Sequence, residues 1–213
     1  MPSLVVGEGK NDLWFIHEII TQKLAIDPCT CGMYTEIKDF ENDVNFSGQK
    51  PLSLICGGGS NMHKVAVRVT RPFWIKRAQI TLGVVGDTDN GCIYARLKDY
   101  LNHYIRDRQR VPVLTPIVDY NDEEKRFVLK PKPNRIIPVW TSEIPESLEV
   151  QIERVLKRKY PDLDSSLNDD ETIQAVSAKL GTTVEYVVRN STNLLENKTW
   201  FRNLTCKLRQ DLV

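Results

Sequence analysis

Two aspartates separated by one residue, Asp87 and Asp89, end a short apolar run that begins at Leu82. A buried strand that ends in this way delivers carboxylate oxygens to the carboxyl edge of a sheet, where open α/β folds place their ligands. Ligand sets made of oxygen atoms suit Mg²⁺ or Mn²⁺. The same residue types also form turns and helix caps, because their side chains bond local backbone amides. A metal site and a plain loop are therefore both open interpretations of this stretch.

A third acidic residue, Glu8, follows another apolar run near the start of the chain, between Gly7 and Gly9. Flanking glycines let the backbone turn sharply and leave the carboxylate uncovered. A helical repeat of apolar residues over 11–24 comes next. Right-handed crossovers between parallel strands bring the ends of the first and third strands to one edge. We therefore expect the carboxylates of Glu8, Asp87 and Asp89 to share one pocket.

The chain resembles the Toprim domain of primases, topoisomerases and overcoming-lysogenization-defect nucleases in the order of its elements. A first strand leads through Gly7-Glu8-Gly9 into a helix, a second α/β unit follows, and a third strand ends at Asp87-x-Asp89. Within that superfamily the chain is most similar to small stand-alone Toprim-like proteins, and the resemblance covers residues 1 to about 150. It implies a Rossmann-like α/β fold, with a mostly parallel sheet and helices on both faces. It also implies Mg²⁺ or Mn²⁺ at the aspartates, with Glu8 as general acid or base in phosphodiester chemistry on DNA or RNA.

The same resemblance suggests two further acidic ligands. The overcoming-lysogenization-defect branch carries an acidic residue four positions after its glutamate, which here is Asp12, and residues four apart share a helix face. The alternative is that Asp12 only caps the helix. Several Toprim-like families have an acidic residue in the helix after their fourth strand, in a context similar to that of Glu149. Glu143 and Glu146 are competing candidates for that position.

A run of three glycines, Gly57, Gly58 and Gly59, follows the apolar segment 51–56. Backbone amides exposed between a strand and a helix can hold a phosphate, and Toprim-like relatives have a similar glycine-rich turn. We predict that these glycines and the nearby Lys64 contact phosphate, while a solvated basic face is the alternative for the lysine. The turn is not a P-loop, since the G-x-x-x-x-G-K-[ST] spacing is absent.

The charge balance is nearly neutral, with 29 Lys and Arg against 28 Asp and Glu among 213 residues. Such a balance gives no global attraction to nucleic acid, so a DNA or RNA partner needs a local basic face. The sequence has no apolar run of 18 or more residues and no signal-peptide pattern at its start. We therefore expect a cytoplasmic protein without a membrane partner.

Five cysteines form an odd set that lacks the spacing of a disulfide framework. Cys29-x-Cys31 is tighter than the usual zinc spacing and would need two further ligands, which makes zinc a minor alternative. Reduced and mostly buried thiols are the expected state.

The chain is predicted to divide into a Toprim-like α/β domain, 1–158, and a C-terminal helical extension, 159–213. In the extension, segment 172–188 contains a helix, a turn at Gly181 and a second helix. This pattern is open to two interpretations, a helix-turn-helix and a helical hairpin packed on the sheet. The last helix has an apolar side for docking or for a subunit contact, so a homodimer is also possible; that side contains Trp200, Phe201, Leu204, Leu208 and Leu212.

Other segments carry local expectations. Residues 27–50 show no clear periodicity and are predicted to be irregular. Pro72 is expected to break or kink the helix predicted over 63–77, and Pro138 to place its strand at a sheet edge. A hairpin or two edge strands are predicted from the residues 113–118 and 126–129.

Two rival functions fit parts of the same pattern. Haloacid-dehalogenase-type phosphatases also have Asp-x-Asp after an apolar strand, with the first aspartate as nucleophile. They usually carry it on the first strand, whereas here it follows the third. The other rival is a non-catalytic Toprim-like module that binds nucleic acid or a protein.

Overall fold

A computed structural model describes residues 2–44, 50–75, 79–89, 91–107, 117–130 and 136–212. The strands in these ranges are β1 Ser3–Gly7, β2 Cys31–Tyr34, β3 Leu52–Cys56, β4 Thr81–Asp87, β5 Ile117–Asn121, β6 Arg126–Lys130 and β7 Ile137–Ile144. The α-helices are α1 Lys10–Glu18, α2 Ile37–Asn42, α3 Met62–Ile75, α4 Ile93–Asp107, α5 Leu148–Lys159, α6 Asp169–Leu180, α7 Val184–Leu195 and α8 Thr199–Leu212. No helix within these ranges has the length and apolar character needed to cross a bilayer.

The strands form one mixed sheet in the order β2-β3-β1-β4-β7-β6-β5. Neighbours from β2 to β7 are parallel, while β6 and β5 extend the sheet as an antiparallel hairpin. β1 lies between β3 and β4, and Gly7 at its end pairs with Cys56 and with Val85. β4 ends at Asp87, which pairs with Ile144 of β7. The predicted mostly parallel α/β sheet is confirmed, and the ends of β1 and β4 are neighbours.

Helices cover both faces of the sheet, which explains why its central strands are continuous apolar runs. All five residues of β1 are buried. Leu4 and Val6 point into the core shared with α3 and α4, while Val5 points into the core shared with α1 and α5. Since successive side chains of a strand alternate between faces, this strand anchors both layers.

The C-terminal helices belong to the second of these layers. α6 packs on α5, α7 packs on both α1 and α5, and α8 contacts β7. The rings of Phe15 in α1 and Phe201 in α8 meet edge to face, with centroids 5.8 Å apart. Phe201, Leu204 and Leu208 are buried in this layer. The apolar side of the last helix is therefore used for docking within the chain, and α6 and α7, joined by the turn at Gly181, pack on α5 and α1.

Three local expectations were wrong or incomplete. The segment predicted to be irregular contains β2 and α2. α3 continues through Pro72 to Ile75, because the buried Phe73 holds the last turn on the core. β7 lies between β4 and β6, so Pro138 is not in an edge strand. Pairing with β4 begins one residue later, at Val139, and the missing N–H of the proline falls outside that ladder.

The predicted hairpin is confirmed as β5 and β6, joined across the turn after Asn121. Residues 113–116 of that prediction lie outside the described residues. The cysteines differ from expectation: all five are free, but Cys29 and Cys206 are exposed and the other three are only partly buried.

Candidate functional site

Glu8 and Asp87 occupy the carboxyl ends of the two central strands. Glu8 follows β1 and is 9 % exposed, and Asp87 is the last residue of β4. The backbone N–H of Asp87 donates to Oε2 of Glu8 over 3.1 Å. Because this bond orients the glutamate toward the end of the neighbouring strand, the side chains of two distant segments meet at one point of the sheet edge.

Glycines beside these residues are needed for space. A Cβ on Gly86 would lie 2.9 Å from Oε2 of Glu8 and 3.0 Å from Cε of Met62. A Cβ on Gly7 would lie 3.0 Å from Cβ of Asp12. Gly9 has φ of −129°, an extended conformation open to any residue. Gly7 thus permits close packing against α1, whereas neither the space around Gly9 nor its backbone conformation requires a glycine.

Asp12 lies in the first turn of α1 and is 4 % exposed. Its Oδ2 accepts a hydrogen bond from the N–H of Gly9 over 2.7 Å, which caps the helix. Its Oδ1 is buried and has no hydrogen-bond partner among the described residues. The capping role expected as an alternative is therefore present, but it uses one oxygen of the carboxylate and leaves the other unsatisfied.

Glu149 reaches the same place from the first turn of α5. Its Oε1 accepts a hydrogen bond from Nδ2 of Asn11 over 2.7 Å, which links α5 to α1. The N–H of Leu148 donates to Oδ1 of Asp87 over 3.2 Å. The sequence motifs assigned Asn11 no role in the site. Its position beside Asp12 was the available signal, but its partner on α5 is visible only in the fold.

The two competing glutamates lie elsewhere. Glu143 accepts from the N–H of Ile93 over 3.2 Å at the start of α4, and Lys125 lies 3.0 Å from it. Burial acts against this carboxylate, but its hydrogen-bond donors and the charge of Lys125 hold its pKa below the ordinary value. Glu146 is exposed and pairs with Arg154. The charge of Glu149 acts on both Asp12 and Asp87, whereas neither Glu143 nor Glu146 is among the charges that affect them.

Glu8, Asp12, Asp87 and Glu149 form what we call the acidic cluster, and their proximity changes their acidity. Burial, the charge of Glu149 and the charge of Glu8 raise the pKa of Asp12 from 3.8 to about 7. Burial, followed by the charges of Asp12, Glu149 and Glu8, raises the pKa of Asp87 from 3.8 to about 8. Carboxylates that repel one another in this way bind a proton or a cation more readily than isolated ones.

Asp89 lies at the margin of the cluster. Its side chain is exposed, and its charge is the smallest of the named influences that raise the pKa of Asp87. The intervening Thr88 ties the loop to the β7–α5 connection, since its N–H donates to the carbonyls of Ile144 and Glu146, each over 3.1 Å. Asp89 is thus placed toward solvent while Asp87 is held inside.

The glycine turn after β3, residues 57–59, is hydrogen-bonded to the end of β1. The N–H of Gly57 donates to the carbonyl of Gly7 over 2.7 Å, and that of Gly59 to the carbonyl of Glu8 over 2.9 Å. Lys64 is exposed and its Nζ lies 3.0 Å from Oδ1 of Asn61. Of the three predicted phosphate-binding amides, two therefore fasten the turn to the strand that carries Glu8, which leaves Gly58 for that role.

Within the described ranges, no group of three or more His, Cys, Asp or Glu side chains is arranged to hold a metal ion. Neither the acidic cluster nor the pair Cys29 and Cys31 therefore forms a ready-made metal site of three or more ligands among the described residues. The cluster does contain the type of donor that a hard divalent cation prefers, because every member offers carboxylate oxygens. Within the described ranges, Oδ1 of Asp12 is an oxygen that accepts no hydrogen bond and could bind such a cation.

Comparisons of the chain with protein-family models, with curated proteins and with solved structures give no match. The Toprim-like character predicted from the sequence motifs therefore stays a prediction. The basis for assigning a function is the chemistry of the acidic cluster and of the groups around it.

Proposed function

We propose that the acidic cluster performs Mg²⁺- or Mn²⁺-dependent phosphodiester chemistry on DNA or RNA, by hydrolysis or nucleotidyl transfer. The observation that carries this proposal is Oδ1 of Asp12, a buried carboxylate oxygen without a hydrogen-bond partner among repelling carboxylates. A buried polar group without a partner is costly. A divalent cation offsets both this cost and the mutual repulsion.

Asp12 and Asp87 are the pair that would hold the cation. Each uses one oxygen for a backbone N–H, of Gly9 and of Leu148 respectively, and this orients the other oxygen. Mg²⁺ is commonly bound through one or two carboxylates, with water and substrate phosphate completing its coordination. A site with two protein ligands is therefore compatible with the lack of a group of three or more.

Glu8 is the candidate general acid or base. It is buried beside Asp87 and is held by a backbone N–H instead of a basic side chain, so its carboxylate is not neutralised by an ion pair. When bound, the cation would stabilise negative charge on the phosphoryl oxygens. Glu149 orients α5 against α1 through Asn11, and Asp89 is left as an outer residue facing the substrate side.

The order of the motifs supports the same function. A glutamate after the first strand and an Asp-x-Asp after a neighbouring strand is the arrangement that resembles Toprim enzymes, and here β1 and β4 are adjacent. In a haloacid-dehalogenase-type phosphatase the first aspartate would attack phosphorus. Asp87 has one oxygen on the N–H of Leu148 and lies among carboxylates that repel its charge, and a bound cation would relieve this repulsion.

The test is cleavage of labelled single- and double-stranded DNA and RNA by the purified protein, with Mg²⁺, with Mn²⁺ and with EDTA. We expect metal-dependent cleavage of at least one substrate and its loss in Asp87→Asn. Asp162→Asn is a matched control, because Asp162 is an exposed residue that pairs with Lys179 outside the cluster. If wild type cleaves nothing with either metal, the hydrolytic proposal is wrong and a binding module is the better description.

A further inference from the structure

A second group of polar side chains lies on the other side of the glycine turn, at the contact between α3 and α4. Arg96 is in the first turn of α4, and His63 is in the first turn of α3. Both nitrogen atoms that matter here, Nη1 of Arg96 and Nδ1 of His63, are shielded from solvent and have no hydrogen-bond partner among the described residues. Two buried nitrogen atoms without partners on neighbouring helices indicate that a polar partner is missing at this place.

The guanidinium of Arg96 is the stronger of the two donors. Its Nη2 makes a long contact of 3.5 Å with the carbonyl of Ser60. Arg68, one to two turns farther along α3, is neutralised by Glu41 through two bonds of 2.7 Å each. No carboxylate in the described part of the chain pairs with Arg96, so its charge has no counter-ion there.

His63 lies close to Arg96 and to the α4 surface. Its ring meets Tyr100 edge to face, with centroids 5.0 Å apart. Burial, and then the charges of Arg96 and Lys64, lower its pKa, so the ring is neutral near pH 7. A neutral imidazole can present an N–H at Nδ1, depending on its tautomer, to an oxygen that Arg96 also binds.

This pair is joined to the acidic cluster through short backbone links. Ser60, which Arg96 contacts, follows Gly59, whose N–H donates to the carbonyl of Glu8. Met62 precedes His63, and its Cε would lie 3.0 Å from a Cβ on Gly86, the residue before Asp87. These links place the two side chains at the same edge of the sheet as the acidic cluster, on its α3 and α4 side.

We infer that Arg96 and His63 form a phosphate-binding subsite, which holds a backbone phosphate of a nucleic-acid strand next to the phosphodiester at the acidic cluster. Arginine suits this role because its planar guanidinium donates two bonds to phosphate oxygens. The negative charge of the acidic cluster repels a polyanion, and a fixed cation beside it offsets that repulsion for one strand position. The identity of the anion as a nucleic-acid phosphate rests on the proposed function, whereas the binding of an anion does not.

The test measures binding without catalysis. A short fluorescein-labelled DNA strand and an RNA strand of the same sequence are titrated with protein in EDTA, by fluorescence anisotropy, over a series of salt concentrations. Arg96→Gln should weaken binding about tenfold or more and should reduce the slope of log Kd against log salt by about 0.7. His63→Phe keeps the ring contact with Tyr100 but removes the nitrogen, and should weaken binding about threefold.

Two controls separate this effect from a loss of charge or of fold. Arg158→Gln removes the same charge at an exposed position near the far end of α5, and should leave affinity and salt slope near those of wild type. Arg96→Lys keeps the charge without the planar fork and should fall between wild type and Arg96→Gln. Urea unfolding checks that each variant is folded, and His63→Phe provides the test if Arg96→Gln is not.

The inference is overturned if neither strand binds wild type in EDTA, or if Arg96→Gln and His63→Phe bind both strands as wild type does. Its failure differs from that of the proposed function. Loss of binding in these variants without any metal-dependent cleavage by wild type would support the subsite and reject the hydrolytic proposal. Cleavage by wild type with unaltered binding in both variants would do the reverse.

Discussion

The backbone amide of Asp87 donates a hydrogen bond to Oε2 of Glu8 over 3.1 Å, although 79 residues separate them. The bond exists because β1 and β4 are parallel neighbours that end at the same edge. It couples the candidate acid or base to the strand end that carries a candidate ligand. Any change that displaces the glutamate from this amide is therefore expected to alter the chemistry of the site before it alters the fold.

Gly86→Ala is the first such change. The new Cβ would lie 2.9 Å from Oε2 of Glu8, so the flexible glutamate must move off the amide of Asp87. We expect metal-dependent cleavage to fall by at least about tenfold, while the free energy of unfolding changes by less than about 1 kcal/mol. Steady-state cleavage rates and urea unfolding measure the two effects.

Gly83→Ala is the matched control in the same strand. Its Cβ would lie 2.2 Å from Cζ2 of Trp140, a buried ring that cannot easily move. This variant should lose about 1–3 kcal/mol of the free energy of unfolding. The assignment of Gly86 to the site is contradicted if Gly86→Ala loses stability like Gly83→Ala and retains full activity.

Stability should depend on pH through Asp12 and Asp87. Their folded pKa values, about 7 and about 8, lie above the ordinary 3.8, so the folded state binds more protons than the unfolded state between these values. Their contribution to the free energy of unfolding is therefore complete at low pH and is lost as pH rises toward about 8. In EDTA, Asp12→Asn should be more stable than wild type by on the order of 2–4 kcal/mol at about pH 8, and this advantage should be less than half as large at about pH 5.

Urea unfolding at the two pH values tests this expectation. The amide side chain introduced by Asp12→Asn would still accept the N–H of Gly9 through its oxygen, so the helix cap is preserved. An equal effect of Asp12→Asn at both pH values would mean that its charge is not the cause.

Asp87→Asn should weaken Mn²⁺ binding about tenfold or more, because it removes one of the two charged ligands. The same change relieves repulsion and should raise the free energy of unfolding in EDTA near pH 8. Calorimetric titration with Mn²⁺ measures the affinity, and Asp89→Asn is the comparison, with a smaller loss expected from its exposed position. Unchanged affinity in Asp87→Asn would exclude it as a ligand.

Glu8→Gln tests chemistry separately from metal binding. It keeps shape and can still accept from the amide of Asp87, but it cannot transfer a proton. Cleavage should fall by about two to four orders of magnitude, while Mn²⁺ affinity stays within about threefold of wild type because Asp12 and Asp87 remain. Cleavage at the wild-type rate would remove Glu8 from the role of acid or base. Glu196→Gln, an exposed position paired with Lys23, is the control for a lost charge.

Local sequence was sufficient for the strands that carry the site. β1, β3 and β4 contain short apolar runs that end at or next to a glycine, and strands buried on both faces need such runs. The alternation of these runs with helical repeats predicted a mostly parallel sheet with helices on both faces, and a right-handed crossover rule predicted that Glu8 and Asp87 would be neighbours. Asp12 was suggested by the resemblance to the overcoming-lysogenization-defect branch, which carries an acidic residue four positions after its glutamate.

Tertiary structure decided the features that depend on distant partners. Pro138 has an internal place in the sheet because pairing with β4 begins one residue later, which no local pattern encodes. Glu149 joins the cluster because Asn11 of α1 donates a hydrogen bond to it, whereas Glu143 is paired with Lys125 away from the cluster. Glu146 does not join the cluster either. The acidity of Asp12 likewise arises from burial and from charges brought together by separate strands and helices. The residue types of the site are written in short motifs, whereas its hydrogen bonds and electrostatics are properties of segments that meet only in the folded chain.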